Sequence, residues 1–252
     1  MRPARYGLLV AVVLPLVAAQ DAVPTGETVM DRYITVTGGR EVHDGIKSEV
    51  RTVQVEFKGR DVKFAATTYR VRPDKMYTIA EIPGLGKVEE GVHGEVAWGL
   101  SGARGAALKE GVERELSVYG ARLDSETNWR KWFPKEEVAG VEEFEGRSCY
   151  KLLLTDPRGE QHTRFYDKET GLLARVLLEV HLPQGKFPMD IRFYDYRETG
   201  GVRQAHRTVR VMPGQEMESR IEKIEINAEV DAERFVLPAA VKALMEKPKG
   251  GA

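Results

Sequence analysis

The chain has 252 residues, 42% of them hydrophobic and 31% charged. That apolar share is too high for a disordered chain, and 38 basic against 39 acidic side chains leave no cationic surplus to neutralise nucleic-acid phosphates. A lone cysteine, Cys149, allows no internal disulfide and no cysteine-built zinc site.

The first residues read as an export address. Arg2 and Arg5 precede an apolar run over 7–19 that ends in the small residues Ala18 and Ala19. As a helix this run reaches about 20 Å, short of the roughly 30 Å hydrocarbon core of a bilayer, and Pro15 interrupts it. The expectation is a signal peptide over 1–19 and a mature start at Gln20. No internal repeat or long linker divides the rest, so one domain is expected over 20–238, with a frayed tail over 239–252.

From Gly26 to Ile46 the pattern is helical. Val29, Met30, Tyr33 and Ile34 share one face, Thr25 stands as an N-cap, and Gly38-Gly39 stops the first helix before a second short one. After Ser48 come short segments rich in Val, Thr, Tyr and Phe, over 49–57, 61–72, 75–82, 87–92 and 95–101. Their connections are too short for parallel crossovers, so they form an antiparallel meander. The stretch 106–133 breaks this pattern: Leu108, Val112, Leu116 and Tyr119 recur at near-helical spacing, followed by Trp129, Trp132 and Phe133. One or two helices are expected there. Strands resume over 137–144, 147–155, 161–167, 172–182, 187–197, 202–212 and 215–230, although Met217, Ile221 and Ile224 in the last would also suit a helix. Arg234 to Pro238 reads as a short docking segment.

The 172–182 segment carries Leu172, Ala174, Val176, Leu178, Val180 and Leu182 on one face. The next strand offers Phe187, Met189, Ile191 and Phe193. About twelve antiparallel strands do not stay open and flat; the sheet curls, and its concave face needs a cover. The N-terminal helices and the 106–133 insertion are the elements available. The interior is then either a solid core, which apolar faces ordinarily form, or an unfilled cavity.

No catalytic motif is present, neither a zinc-protease helix, a nucleophile elbow nor a phosphate-binding loop. The five histidines lack ligand spacing. A reading in which His162, Arg164 and Asp167 act as dispersed catalytic groups ranks below a solvated strand face. Cys149 beside Tyr150 suits a buried small apolar position. The expectation is a non-enzymatic protein with no cofactor and no metal.

Several segments together resemble a known family. Met30-Asp31-Arg32-Tyr33 followed by Thr37-Gly38-Gly39, Ile82-Pro83-Gly84-Leu85-Gly86, Val92-His93-Gly94-Glu95-Val96-Ala97-Trp98, Phe165-Tyr166-Asp167-Lys168-Glu169-Thr170-Gly171, Phe193-Tyr194-Asp195-Tyr196 and Phe235-Val236-Leu237-Pro238 are similar to the outer-membrane lipoprotein carrier and sorting proteins, LolA/LolB-like, over most of 29–238. The resemblance implies a mainly β fold: a strongly curved, half-open antiparallel barrel with N-terminal and inserted helices over its concave face. It implies a periplasmic, monomeric carrier or sensor of lipoprotein acyl chains or lipid, working with an envelope membrane complex. The candidate lining of its apolar cavity is Tyr33, Tyr77, Trp98, Trp132, Val176, Leu178, Met189, Ile191 and Phe193. The alternative is a protein-interaction module of a secreted or envelope assembly.

Overall fold

The computed structural model describes residues 23–182 and 185–246. The expected signal peptide over 1–19 therefore lies outside the described residues, as does the tail beyond Glu246. No described helix is long and apolar enough to cross a membrane.

Helix α1 (Gly26–Val36) begins where Thr25, in extended backbone, accepts the Thr28 N–H on its hydroxyl at 3.2 Å. It buries Val29, Met30 and Ile34. At its end Gly38 takes φ +128°, and a Cβ there would stand 2.5 Å from the Gly201 carbonyl oxygen, so only glycine fits. Helix α2 (Gly39–Gly45) follows.

The first meander is β1 (Ser48–Lys58), β2 (Val62–Val71), β3 (Lys75–Ile82), β4 (Gly86–His93), β5 (Val96–Ser101) and β6 (Gly105–Leu108). Helix α3 (Gly111–Ala121) and a 3₁₀ turn, Trp129–Lys131, interrupt it. The second meander is β7 (Lys135–Phe144), β8 (Arg147–Thr155), β9 (Gln161–Asp167), β10 (Leu173–Leu182), β11 (Gly185–Thr199), β12 (Val202–Met212) and β13 (Gln215–Ile226). A 3₁₀ turn, Ala232–Phe235, and helix α4 (Ala239–Glu246) end the described chain.

All of these strands form one 13-stranded sheet in the order β6-β5-β4-β3-β2-β1-β13-β12-β11-β10-β9-β8-β7. Every ladder joins chain neighbours except β1 with β13, which seams the two meanders. Among the described residues the outer strands β6 and β7 do not pair, so the sheet is open. Edge β6 is short, and edge β7 is charged and largely exposed, both of which discourage pairing with another chain.

Helix α3 demonstrates the curl. It packs on β4 and β5 and also on β10. In the sheet, β5 and β10 are eight strand spacings apart, about 38 Å if flat, whereas an 11-residue helix is about 16 Å long. The sheet must wrap around it. Helix α1 covers the same concave face further along, where Val29, Met30 and Ile34 pack with Leu152, Leu154, Tyr166 and Trp129. Beneath α3, Val92 and Ala97 meet Val118 and Ala121, and Trp132 touches both groups.

Three expectations are corrected. Residues 106–108, expected at the start of a helix, belong to β6, pairing Ala106 with Leu100 and Leu108 with Trp98. The 239–252 tail is not frayed throughout: 239–246 form α4, and Val241 is fully buried with Trp98, Tyr77 and Phe235 on the outer face of the sheet. The expected apolar face of 172–182 is broken by a bulge between Leu173 and Arg175. Leu173 thereby joins Val176 inside, while Ala174 turns out to pack with Phe144, Cys149 and Phe165. A second irregularity, between Thr52 and Val53 opposite Lys223 and Ile221, explains the helix-like spacing of Ile221 and Ile224 in β13.

Candidate functional site

The concave interior is incompletely filled. A cavity of about 650 Å³ opens between the second meander and the helices that cover it. Its floor is the inner face of β10 and β11. Val176 lies opposite Ile191 and Leu178 opposite Met189, and Leu173, Val180 and Phe193 extend this surface. Its cover is Leu116 and Tyr119 of α3, Trp132 and Phe133 after the 3₁₀ turn, and Tyr33 of α1. Tyr119 meets the edges of Trp132 and Phe133 at ring separations of 5.3 and 6.0 Å. The floor stands on strands and the cover on helices, so the two are separate pieces of chain.

Of the residues expected to line a cavity, Tyr33, Trp132, Val176, Leu178, Met189, Ile191 and Phe193 all border this one. Tyr77 and Trp98 do not. They lie opposite Gly91 on neighbouring strands and face outward, under the C-terminal segment. The strand β5 is apolar on both faces because α3 covers one and α4 the other. Sequence alternation alone therefore could not assign Trp98 to the inside or the outside.

One wall of the cavity is polar. On β9, His162, Arg164 and Tyr166 share the inner face, opposite Leu154, Leu152 and Tyr150 of β8. Arg164 is buried and donates to Glu126 Oε2 at 2.9 Å, to the Tyr119 hydroxyl at 2.9 Å and to the Tyr166 hydroxyl at 3.4 Å. Tyr119 in turn donates to Glu126 Oε1 at 2.7 Å. Burial by itself opposes a charged guanidinium, but Glu126 and the phenol oxygens outweigh it, so Arg164 holds its proton more tightly than usual. Its guanidinium also lies 5.2 Å from the Phe133 ring centre. Burial raises the phenols of Tyr33, Tyr119 and Tyr166, which keeps them neutral donors.

His162 meets the Phe133 ring at 4.9 Å. Burial, then the neighbouring Arg164 charge, lower its pKa to about 4, so it is neutral near pH 7. At the rim, Asp156 accepts the backbone N–H groups of Arg158 and Glu160, and the Arg158 guanidinium reaches Asp156 at 2.6 Å and Glu115 of α3 at 2.9 Å. Burial works to raise the Asp156 carboxyl, and these donors overcome it and hold it below its usual range. Asp167 belongs elsewhere: its Oδ1 caps the turn after β9 by accepting from Glu169 and Thr170. Arg164 and His162 thus sit together at the cavity, and Asp167 is not with them. Sequence reasoning missed Glu126, Tyr119 and Arg210 as lining residues. The available signal was the alternation His162, Arg164, Tyr166 on a strand whose opposite face carries Phe165.

One further acidic group contains a histidine. Glu160, Glu179 and His181 bring their ligand atoms within 4.8 Å of one another. The Lys186 ammonium lies 3.0 Å from Glu160 and 3.8 Å from Glu179, and these contacts already supply the positive charge that the carboxylates need.

No protein-family model matches the sequence, and no curated protein does. Solved structures match over nearly their whole lengths. A LolA superfamily protein from Nitrosomonas europaea superposes with a TM-score of 0.58 at 10% identity, covering 85% of this chain and 99% of that one. A DUF1329 family protein from Desulfovibrio piger gives 0.56 at 13% identity, with 83% and 96% covered. A putative outer membrane lipoprotein-sorting protein domain from Vibrio parahaemolyticus gives 0.54 at 12% identity, with 83% and 97% covered.

The fold is LolA-like. At these identities the likeness concerns the path of the chain and not its side chains. A LolA-like fold is the open, wrapped sheet that the sequence segments imply, and its concave side is where the cavity lies in this chain.

Proposed function

We propose that this chain binds the acyl chains of lipids or lipoproteins in the cavity between β10–β11 and the α3 segment, as a carrier or sensor of the cell envelope. The observation that carries this reading is the unfilled apolar space of about 650 Å³, within the range of small-molecule sites. Empty apolar space of this size is costly to a well-packed core, and a hydrocarbon tail would restore the missing contacts. The LolA-like fold supports the same reading, since one structural neighbour is described as a lipoprotein-sorting domain. The basic, apolar start of the chain supports export to the periplasm.

The energetics suffice without a catalytic group. About 12 buried methylenes at ~0.8 kcal/mol each contribute roughly 10 kcal/mol. Association costs at least about 4 kcal/mol, and the remaining ~6 kcal/mol corresponds to tens of micromolar for one chain. A second chain in the same space would tighten this greatly.

The test is displacement of a fluorescent fatty acid from delipidated protein, together with native mass spectrometry of protein isolated from its own envelope. Leu178→Trp, which fills the floor, is expected to weaken uptake about tenfold or more while leaving the circular dichroism unchanged. Wild-type protein that takes up no probe and carries no lipid adduct would refute the proposal.

A further inference from the structure

Two cations border the cavity without an ion pair among the described residues: Lys131, at the end of the 3₁₀ turn in the cover, and Arg210, on the floor. Arg210 of β12 lies directly opposite Ile191, which lies opposite Val176, which lies opposite Arg164. Residues directly opposite on adjacent strands share a face, so the two arginines bracket the apolar floor on a single row across the sheet. They are treated differently. Arg164 is buried and paired with Glu126 and Tyr119. Arg210 borders the cavity and is open to solvent, and it forms no ion pair with any described residue.

The acids nearby are already engaged. Glu126 is held by Arg164, Asp156 and Glu115 by Arg158, and Glu90, across the interior, by Lys109 at 2.9 Å. A hydrocarbon tail laid along Val176 and Ile191 would cover the Arg210 stem and strip water from its guanidinium. A charge that loses water needs a partner or an escape to solvent. Glu90 is within electrostatic reach of Arg210, but it forms its ion pair with Lys109 and none with Arg210.

We propose that the ligand of this cavity is an anionic amphiphile, an acyl or alkyl chain ending in a carboxylate or phosphate, whose head is held by Arg210 while its tail lies on the β10–β11 floor. This rests on the acyl-binding reading above and adds the chemistry of the ligand's head and the residue that selects it. Guanidinium suits either oxyanion, since its forked donors match both geometries.

The experiment compares dodecanoate, dodecyl phosphate and dodecanol as competitors of a fluorescent probe, at constant pH and low salt. It uses wild-type protein, Arg210→Met and, as a second cavity cation, Lys131→Met. In wild type the anions are expected to bind about tenfold or more tighter than the alcohol, the scale of a charge-assisted hydrogen bond. Arg210→Met should bring the favoured anion down to the alcohol's level and leave the alcohol within about twofold of wild type, which also shows that the variant is folded. Lys131→Met should keep the preference. Tighter binding of one anion alone identifies the head group as carboxylate or phosphate. Equal binding of acids and alcohol by wild type would overturn this inference while leaving the apolar site standing. Loss of preference in Lys131→Met, or its persistence in Arg210→Met, would overturn the assignment to Arg210. Failure of every competitor and of the probe would overturn the acyl-binding reading and this one with it.

Discussion

The pair Arg164–Glu126 allows a direct test of how the polar wall is held. The Arg164 side chain is 6% exposed and the Glu126 side chain 31%. Glu126→Ala would leave a buried guanidinium with only the Tyr119 and Tyr166 oxygens as acceptors, and its Nε already has no partner. Removing one member of a fully buried pair costs about 3–5 kcal/mol. The partial exposure of Glu126 and the surviving phenol contacts reduce this to about 2 kcal/mol. The reverse change, Arg164→Met, removes the buried charge and keeps the apolar bulk. Glu126 can then reach water and still accept from Tyr119. That variant is expected within about 1 kcal/mol of wild type. In urea melts followed by circular dichroism, Glu126→Ala should lower the midpoint by roughly 0.7–1 M, and Arg164→Met by less than half of that. Equal losses in the two variants would refute the view that the cost lies in stranding a cation. A neutral Glu126→Ala would show that the guanidinium is not buried in solution.

The depressed pKa of His162 predicts an acid-sensitive fold. The unfolded chain takes up a proton near the ordinary value of 6.5, whereas the folded chain resists it down to about 4, so stability is intact above 6.5 and falls as pH drops through that window. Between pH 7.5 and 5 this amounts to about 2 kcal/mol, and His162→Leu should lose that share of the pH dependence in urea melts. An unchanged pH dependence in the variant would count against a buried neutral imidazole. Separately, a Cβ at Gly91 would stand 2.4 Å from the Trp98 ring. Gly91→Ala is expected to cost about 1–3 kcal/mol and to shift Trp98 emission, and a wild-type melting temperature with unchanged fluorescence would contradict the close packing of that face.

The elements most legible in the sequence were those with an unbroken period. The helix over Val29, Met30 and Ile34 announces itself by spacing and by its Thr25 cap, and the floor residues Val176, Leu178, Met189 and Ile191 by strict alternation. What escaped has definite causes. A bulge shifts alternation by one residue, so Leu173 and not Ala174 joins Val176 inside, and Ile221 and Ile224 imitate a helix. A strand covered on both faces has no polar side to orient it, which misplaced Tyr77 and Trp98. Helix α4 is a single short stretch after Pro238, with too few turns to show a period against the polar tail that follows. The Arg164–Glu126–Tyr119 contact joins residues far apart in the chain, and nothing local marks it.

The seam between β1 and β13 has a consequence for how the molecule is assembled. Every other ladder forms between adjoining hairpin arms and needs only short loops to close, whereas this one must bring together segments separated by most of the chain, at a larger entropic cost. Each meander is thus a locally wired half; among the described strands one ladder joins them, and α3, packed on both, braces the join. A backbone cut in the exposed turn at 102–104, far from that ladder, should leave both fragments joined.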